Sequence, residues 1–108
     1  MTLLVFPSKD TGETIPLVFN FSDKLQFGES ITGSSVAVSV FSGTDNNPSA
    51  LLSGTPINTS TQVTQNITGG VAGVIYTIVC IVTGSGSHNY AKEGRLAVIT
   101  AGGRYTNP

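Results

Sequence analysis

Tryptophan is absent from this chain of 108 residues, and cysteine and histidine occur once each, as Cys80 and His88. Charge is scarce as well: five Lys and Arg stand against six Asp and Glu, for a net charge of -1. A single cysteine closes no disulfide within the chain, and a single histidine builds no His-rich metal site. The balanced, slightly acidic charge provides no basic field to hold phosphates, which sets nucleic acid aside as a partner. Long apolar runs are missing too. The longest, Val74 to Val82 broken only by Thr77, is about half of the roughly 20 residues a membrane helix needs. The opening Met1 to Pro7 has neither the basic flank nor the apolar length of a secretory signal, so it is expected to be retained.

What the chain has in quantity is thirteen glycines, twelve serines, fourteen threonines and 39% apolar residues. That is the composition of strands and turns. Helical periodicity is nowhere sustained, while period-two alternation recurs between glycine-marked breaks, which predicts an all-β fold. Residues 13–21 put Ile15, Leu17, Phe19 and Phe21 on one face, and Pro16 assigns that strand to a sheet edge. Residues 35–42 alternate Val36, Val38 and Val40 with Ala37, Ser39 and Phe41, predicting a central strand. Further strands are expected at 50–53, 61–67, 74–83, 88–93 and 95–100, with turns at 43–49, 69–73 and 84–87. The whole, 1–108, reads as one compact antiparallel β-sandwich of about seven strands, with an arm at 1–7 and a glycine-rich tail at 101–108.

Catalytic chemistry finds little to use. Cys80 lies within Ile78-Val79-Cys80-Ile81-Val82, an apolar setting that keeps a thiol protonated and inert. His88 follows a hairpin turn and reads as a loop residue. The carboxylates Asp10, Glu13, Asp23, Glu29, Asp45 and Glu93 all sit beside turn signals, several next to a lysine (Lys9, Lys24, Lys92), and read as solvated turn charges. Asp45-Asn46-Asn47 lacks the closing bidentate Glu of a calcium loop. The clusters at Gly69 to Gly73 and Gly84 to Gly86 are not followed by a helix and cradle no phosphate. No catalytic, cofactor or metal residue is therefore assigned.

Residues 74–83 stand apart. Val74, Tyr76, Ile78, Cys80 and Val82 share one face, while Ile75, Val79 and Ile81 make the other face apolar as well. Two buried faces call for a covering layer, from a loop, a terminus or a neighbouring chain. The arm Leu3-Leu4-Val5-Phe6 has two possible places, along a neighbour's sheet edge or on its own sheet. With Tyr90 and Tyr105, expected to be exposed, these residues make up the candidate protein interface: Leu3, Leu4, Val5, Phe6, Ile75, Val79, Ile81, Tyr90 and Tyr105.

Three stretches carry a resemblance. They are Lys9-Asp10-Thr11-Gly12-Glu13-Thr14; Phe19-Asn20-Phe21-Ser22-Asp23-Lys24-Leu25 followed by Gly28-Glu29-Ser30-Ile31 and Ser34-Ser35; and Gly69-Gly70-Val71-Ala72-Gly73-Val74-Ile75-Tyr76-Thr77. Together they resemble small tailed-phage structural proteins of the fiber–tail adaptor kind. The resemblance covers about residues 8–100 and implies an Ig-like fold; the position of Tyr76 is similar to the tyrosine corner of such sandwiches, although Cys80 follows by four residues and not two. It also implies a non-enzymatic role in a virion at the tail or fiber attachment, contacts with other virion proteins, and a homo-oligomeric or symmetric multi-copy arrangement. Two other readings remain open at this point: a capsid decoration or cement protein, and a carbohydrate-binding host-adhesion module.

Overall fold

Strand alternation in the sequence becomes two facing sheets in the computed structural model, which describes residues 4–99. Among these residues there are eight strands: β1 (Leu4–Val5), β2 (Lys9–Asp10), β3 (Thr14–Asn20), β4 (Ile31–Ser42), β5 (Leu52–Asn58), β6 (Gln62–Thr68), β7 (Ile75–Gly84) and β8 (Asn89–Ile99). A single 3-10 turn, Pro48–Leu51, precedes β5. One sheet runs β1-β8-β7-β4 with β2 also on β8, and the other runs β3-β6-β5. The protein is an all-β sandwich.

Inward residues of every long strand meet in one core. Leu17, Phe19 and Phe21 come from the first aromatic stretch, Val63 and Ile67 from β6, Tyr76, Ile78, Cys80 and Val82 from β7, and Leu96 and Val98 from β8. Most of these side chains are completely withdrawn from water. Burial of this kind supplies the main favourable term in folding, at about 25 cal/mol per Å² of apolar surface.

Several boundaries differ from the sequence expectations. The expected strand at 50–53 begins as the 3-10 turn, because Pro48 starts a helical turn more readily than a ladder. The two strands expected at 88–93 and 95–100 are one, since Gly94 interrupts nothing: it pairs with Ile78 on one side and Leu4 on the other. The strand at 35–42, expected to be central, is the sheet's outer strand and among the described residues pairs with β7 alone. Its alternation misled because an edge strand keeps the same inward period as a central one. Pro16 does lie on an edge strand, β3. The arm joins its own sheet, with β1 and β2 both parallel to β8, so the sandwich is not wholly antiparallel.

The quoted stretches at Lys9 and Gly69 turn out to hold each other. Lys9, in the sequence simply the basic neighbour of Asp10, is completely buried, and its Nζ donates to the carbonyls of Asp10 and Gly69, each at 2.7 Å. Burial lowers its pKa against the opposing pull of the Glu13 and Asp10 carboxylates. Gly70 completes the fit: its φ is +100°, and a Cβ there would press on Val98 at 3.0 Å.

Candidate interaction surface

Alternation along β4, β7 and β8 sends one set of side chains to the core and the other to the outside of the five-stranded sheet. The outer set is poor in charge. Ile75 lies opposite Ala97, Thr77 between Ser39 and Arg95, Val79 between Ala37 and Glu93, and Ile81 between Ser35 and Ala91. Val5 joins at Arg95 and is 78% exposed, Phe41 is exposed, and Ile81 is 46% exposed. Alanine, serine and threonine separate the larger apolar groups on this face. Among the described residues its one ion pair, Arg95 to Glu93 at 2.7 Å, runs along β8, and the Arg95 guanidinium stacks 4.0 Å from the centre of the Phe41 ring.

Both faces of 74–83 were expected to be buried, and only the inner one is. Tyr76, Ile78, Cys80 and Val82 are sealed, whereas Ile75, Thr77 and Val79 are half-buried and no described element is layered over them. An apolar pattern reports what a surface is made of, and the covering it calls for has to come from elsewhere.

Of the candidate interface residues, Val5, Ile75, Val79 and Ile81 thus fall on one face. Leu4 pairs through its backbone with Gly94, and Leu3 and Tyr105 lie outside the described residues. Phe6 turns inward and meets Phe19 edge to face at 5.5 Å, contributing to the chain's own core. Tyr90, expected to be exposed, is half-buried because it sits opposite Val82 on the inward side of β8. Phe41 was visible on the outward side of its strand's alternation but was passed over.

A second feature lies at the end of the sandwich where β3 leads into β4 and β7 into β8. Glu29, expected to be a solvated turn charge, has a side chain only 4% exposed. Its Oε1 accepts from the Gln26 amide at 3.0 Å and the Tyr90 hydroxyl at 2.7 Å; its Oε2 accepts from the Gly86 amide at 3.1 Å and lies 3.3 Å from His88 Nδ1. Gly84 leaves room for this arrangement, since a Cβ there would overlap the carboxylate and push it from its place. This clasp holds up Phe27, which is fully exposed beside Gly28 (φ +80°), over a shallow cavity of about 320 Å³ lined also by Gln26, Ser85 and His88. That Glu29 sits beside a turn signal was legible, whereas the clasp depends on residues nearly sixty positions away.

The Gln26 amide above all, then Tyr90, hold the Glu29 carboxyl down to about 2 from an ordinary 4.5. A depressed carboxylate pKa stabilises the fold above the unfolded value, and that contribution is lost as pH falls through the folded one. The melting temperature should therefore drop between pH 4.5 and about 2, and Glu29→Gln should flatten the drop in a series of thermal melts.

The remaining chemistry-bearing residues are held by structure. Burial pushes the Cys80 thiol up to about 12. Tyr76 donates to Asp45 at 2.6 Å and accepts from the Val71 amide at 2.9 Å, tying together two loops at the other end. Lys92 pairs with Asp23 at 2.8 Å and Glu93 with Arg95, because sequence neighbours Lys92 and Glu93 on one strand point to opposite faces. Among the described residues no three His, Cys, Asp or Glu side chains gather as a metal site, and no helix is long and apolar enough to cross a membrane.

The surfaces offered are therefore an apolar sheet face and an exposed aromatic on a turn tied down by Glu29, which are means of contact between proteins. No curated protein and no solved structure matches the chain. A family model does, over residues 9–98, and within that span fall all three stretches quoted from the sequence, with the Lys9 to Gly69 tie and the Glu29 clasp they build. The chain belongs to the family described as podophage GP4 fiber-tail adaptor protein gp77.

Proposed function

We propose that this chain joins tail and fiber without catalysis, by burying the outer face of its five-stranded sheet against another virion protein. As a fiber-tail adaptor it is a structural component of the tail, and that membership does not favour the decoration or carbohydrate-binding readings. The observation that carries the proposal is the contrast between the two faces of β7: one completely sealed, the other apolar, with Ile75 and Val79 half-buried, Ile81 exposed, and exposed Val5 and Phe41 on the neighbouring strands. An open apolar patch with one internally paired charge couple is the surface a protein partner covers. An adaptor touches two neighbours, and the Phe27 tip, held at the end of the sandwich by Glu29, supplies a second and separate contact. An exposed aromatic on a turn whose backbone is already held needs little chain ordering on docking.

Val79→Asp tests the main contact. The side chain is on the open face, so the variant should stay folded by circular dichroism. Particles assembled with it should lose fibers, since an unpaired carboxylate in an apolar interface costs about 2 kcal/mol or more, roughly thirtyfold in affinity. Normal fiber content with a folded Val79→Asp chain overturns the assignment of this face.

A further inference from the structure

Sheet edges expose unpaired N–H and C=O groups, and proteins guard them with proline, charge, bulges or shortness. This sandwich has four edges. The β1–β2 edge is two short pieces separated by Pro7; β3 carries Pro16; β5 carries Pro56 and a break in register between Ser53 and Ile57. The fourth, β4, has neither proline nor any charged residue along Ile31–Ser42. Its irregularities are confined to its ends, leaving eight residues, Gly33 to Val40, in unbroken register with β7. Every second residue of that run points its N–H and C=O away from β7.

The side chains along this edge are unfinished as well. Val36, Val38 and Val40 point toward the core yet stay half-buried, whereas their cross-strand neighbours Cys80, Ile78 and Tyr76 are completely buried. The outward Ser35, Ala37 and Ser39 are small and exposed, so another strand meets no obstacle. At Gly33 to Ser34 the edge is tied across to β5 by the Ser34 hydroxyl donating to Asn58 at 3.2 Å, and the 3-10 turn lies against β4. Among the described residues, the valine stretch between them has no ladder partner on its outer side.

We infer that β4 is a strand-addition site for a second copy of this chain, the two strands pairing antiparallel about a two-fold axis at Val38. The pattern is self-complementary in that register. Val38 faces its twin, Val36 faces Val40 of the second copy, and Ala37 faces Ser39, so β-branched pairs form a ladder on the inner side and no like charges meet. The two five-stranded sheets then continue as one, and the open faces of both copies lie side by side, doubling the surface assigned above to the virion partner. The inference does not depend on that assignment.

Light scattering on the full chain should give a mass near twice 11.1 kDa. In Ala37→Lys/Ser39→Lys the new ammonium groups would lie opposite one another, and association should weaken roughly tenfold or more while thermal melting stays cooperative. Val18→Lys, at an exposed valine of β3 on the other sheet, should remain dimeric. Should the double variant fail to fold, Val38→Cys decides: oxidation should link two chains through that position, as seen on a non-reducing gel. A monomeric wild type, a dimer untouched by the two lysines, or a Val38→Cys chain that does not cross-link each overturns the inference.

Discussion

Phe19→Ala should lower the stability of the fold by about 3–5 kcal/mol, a large part of the roughly 5–15 kcal/mol that holds a small domain together. Phe19 is completely buried on β3, in the middle of the aromatic stretch, and Phe6 from the N-terminal arm packs edge-on against its ring. Truncation removes the ring's transfer free energy and leaves a cavity, and it also takes away the support that seats Phe6. For a chain of this size the melting temperature should fall by roughly 15 °C or more. Phe19→Leu, which keeps most of the apolar volume, should lose less than half as much. A fall of less than about 5 °C for the alanine variant would show that the site collapses freely and that the arm is not seated there.

Lys9→Met should cost about 1–3 kcal/mol in chemical denaturation, because it leaves the half-buried Gly69 carbonyl without its donor, while the Asp10 carbonyl still accepts from the Glu13 amide at 3.0 Å. The aliphatic stem survives in methionine, so what is lost is chiefly the ammonium and its bonds. Burying that ammonium is itself unfavourable, as its lowered pKa records, and this sets the upper limit on the loss. Lys9→Ala should cost more, since it also empties the space of the stem. The bond spans sixty residues, from β2 to the turn that leads into β7, so faster amide exchange should appear at 70–73 in Lys9→Met. Unchanged stability together with unchanged exchange there would mean that water replaces the ammonium, and the tie would then count for little.

Alternation and turn residues made the strands readable, because the two-residue period of an extended chain sorts Leu17 from Val18 and Ile78 from Val79 without reference to anything distant. Turns at 43–49, 69–73 and 84–87 were readable for the same local reason. Neighbour relations were not. The valines of β4 alternate as they would in a central strand, and only the pairing with β7 alone makes it an edge. Glu29 read as a surface charge because glutamate ordinarily is, and Lys9 only as the neighbour of another; each is held by partners about sixty residues away.

The candidate site divides in the same way. Ile75, Val79 and Ile81 were legible as a second apolar face, and Val5 as part of an apolar arm. That Val5 joins them while Phe6 and Tyr90 turn inward follows from the parallel pairing of β1 on β8 and from the parity of β8 opposite Val82. By itself, then, the sequence determined an all-β chain with little chemistry and a surplus of apolar surface, since composition and period-two patterning are local properties. Tertiary structure alone decided where that surplus ends up, on the open side of β7 and along the unguarded edge of β4, because strand order and register arise from contacts between segments far apart in the chain.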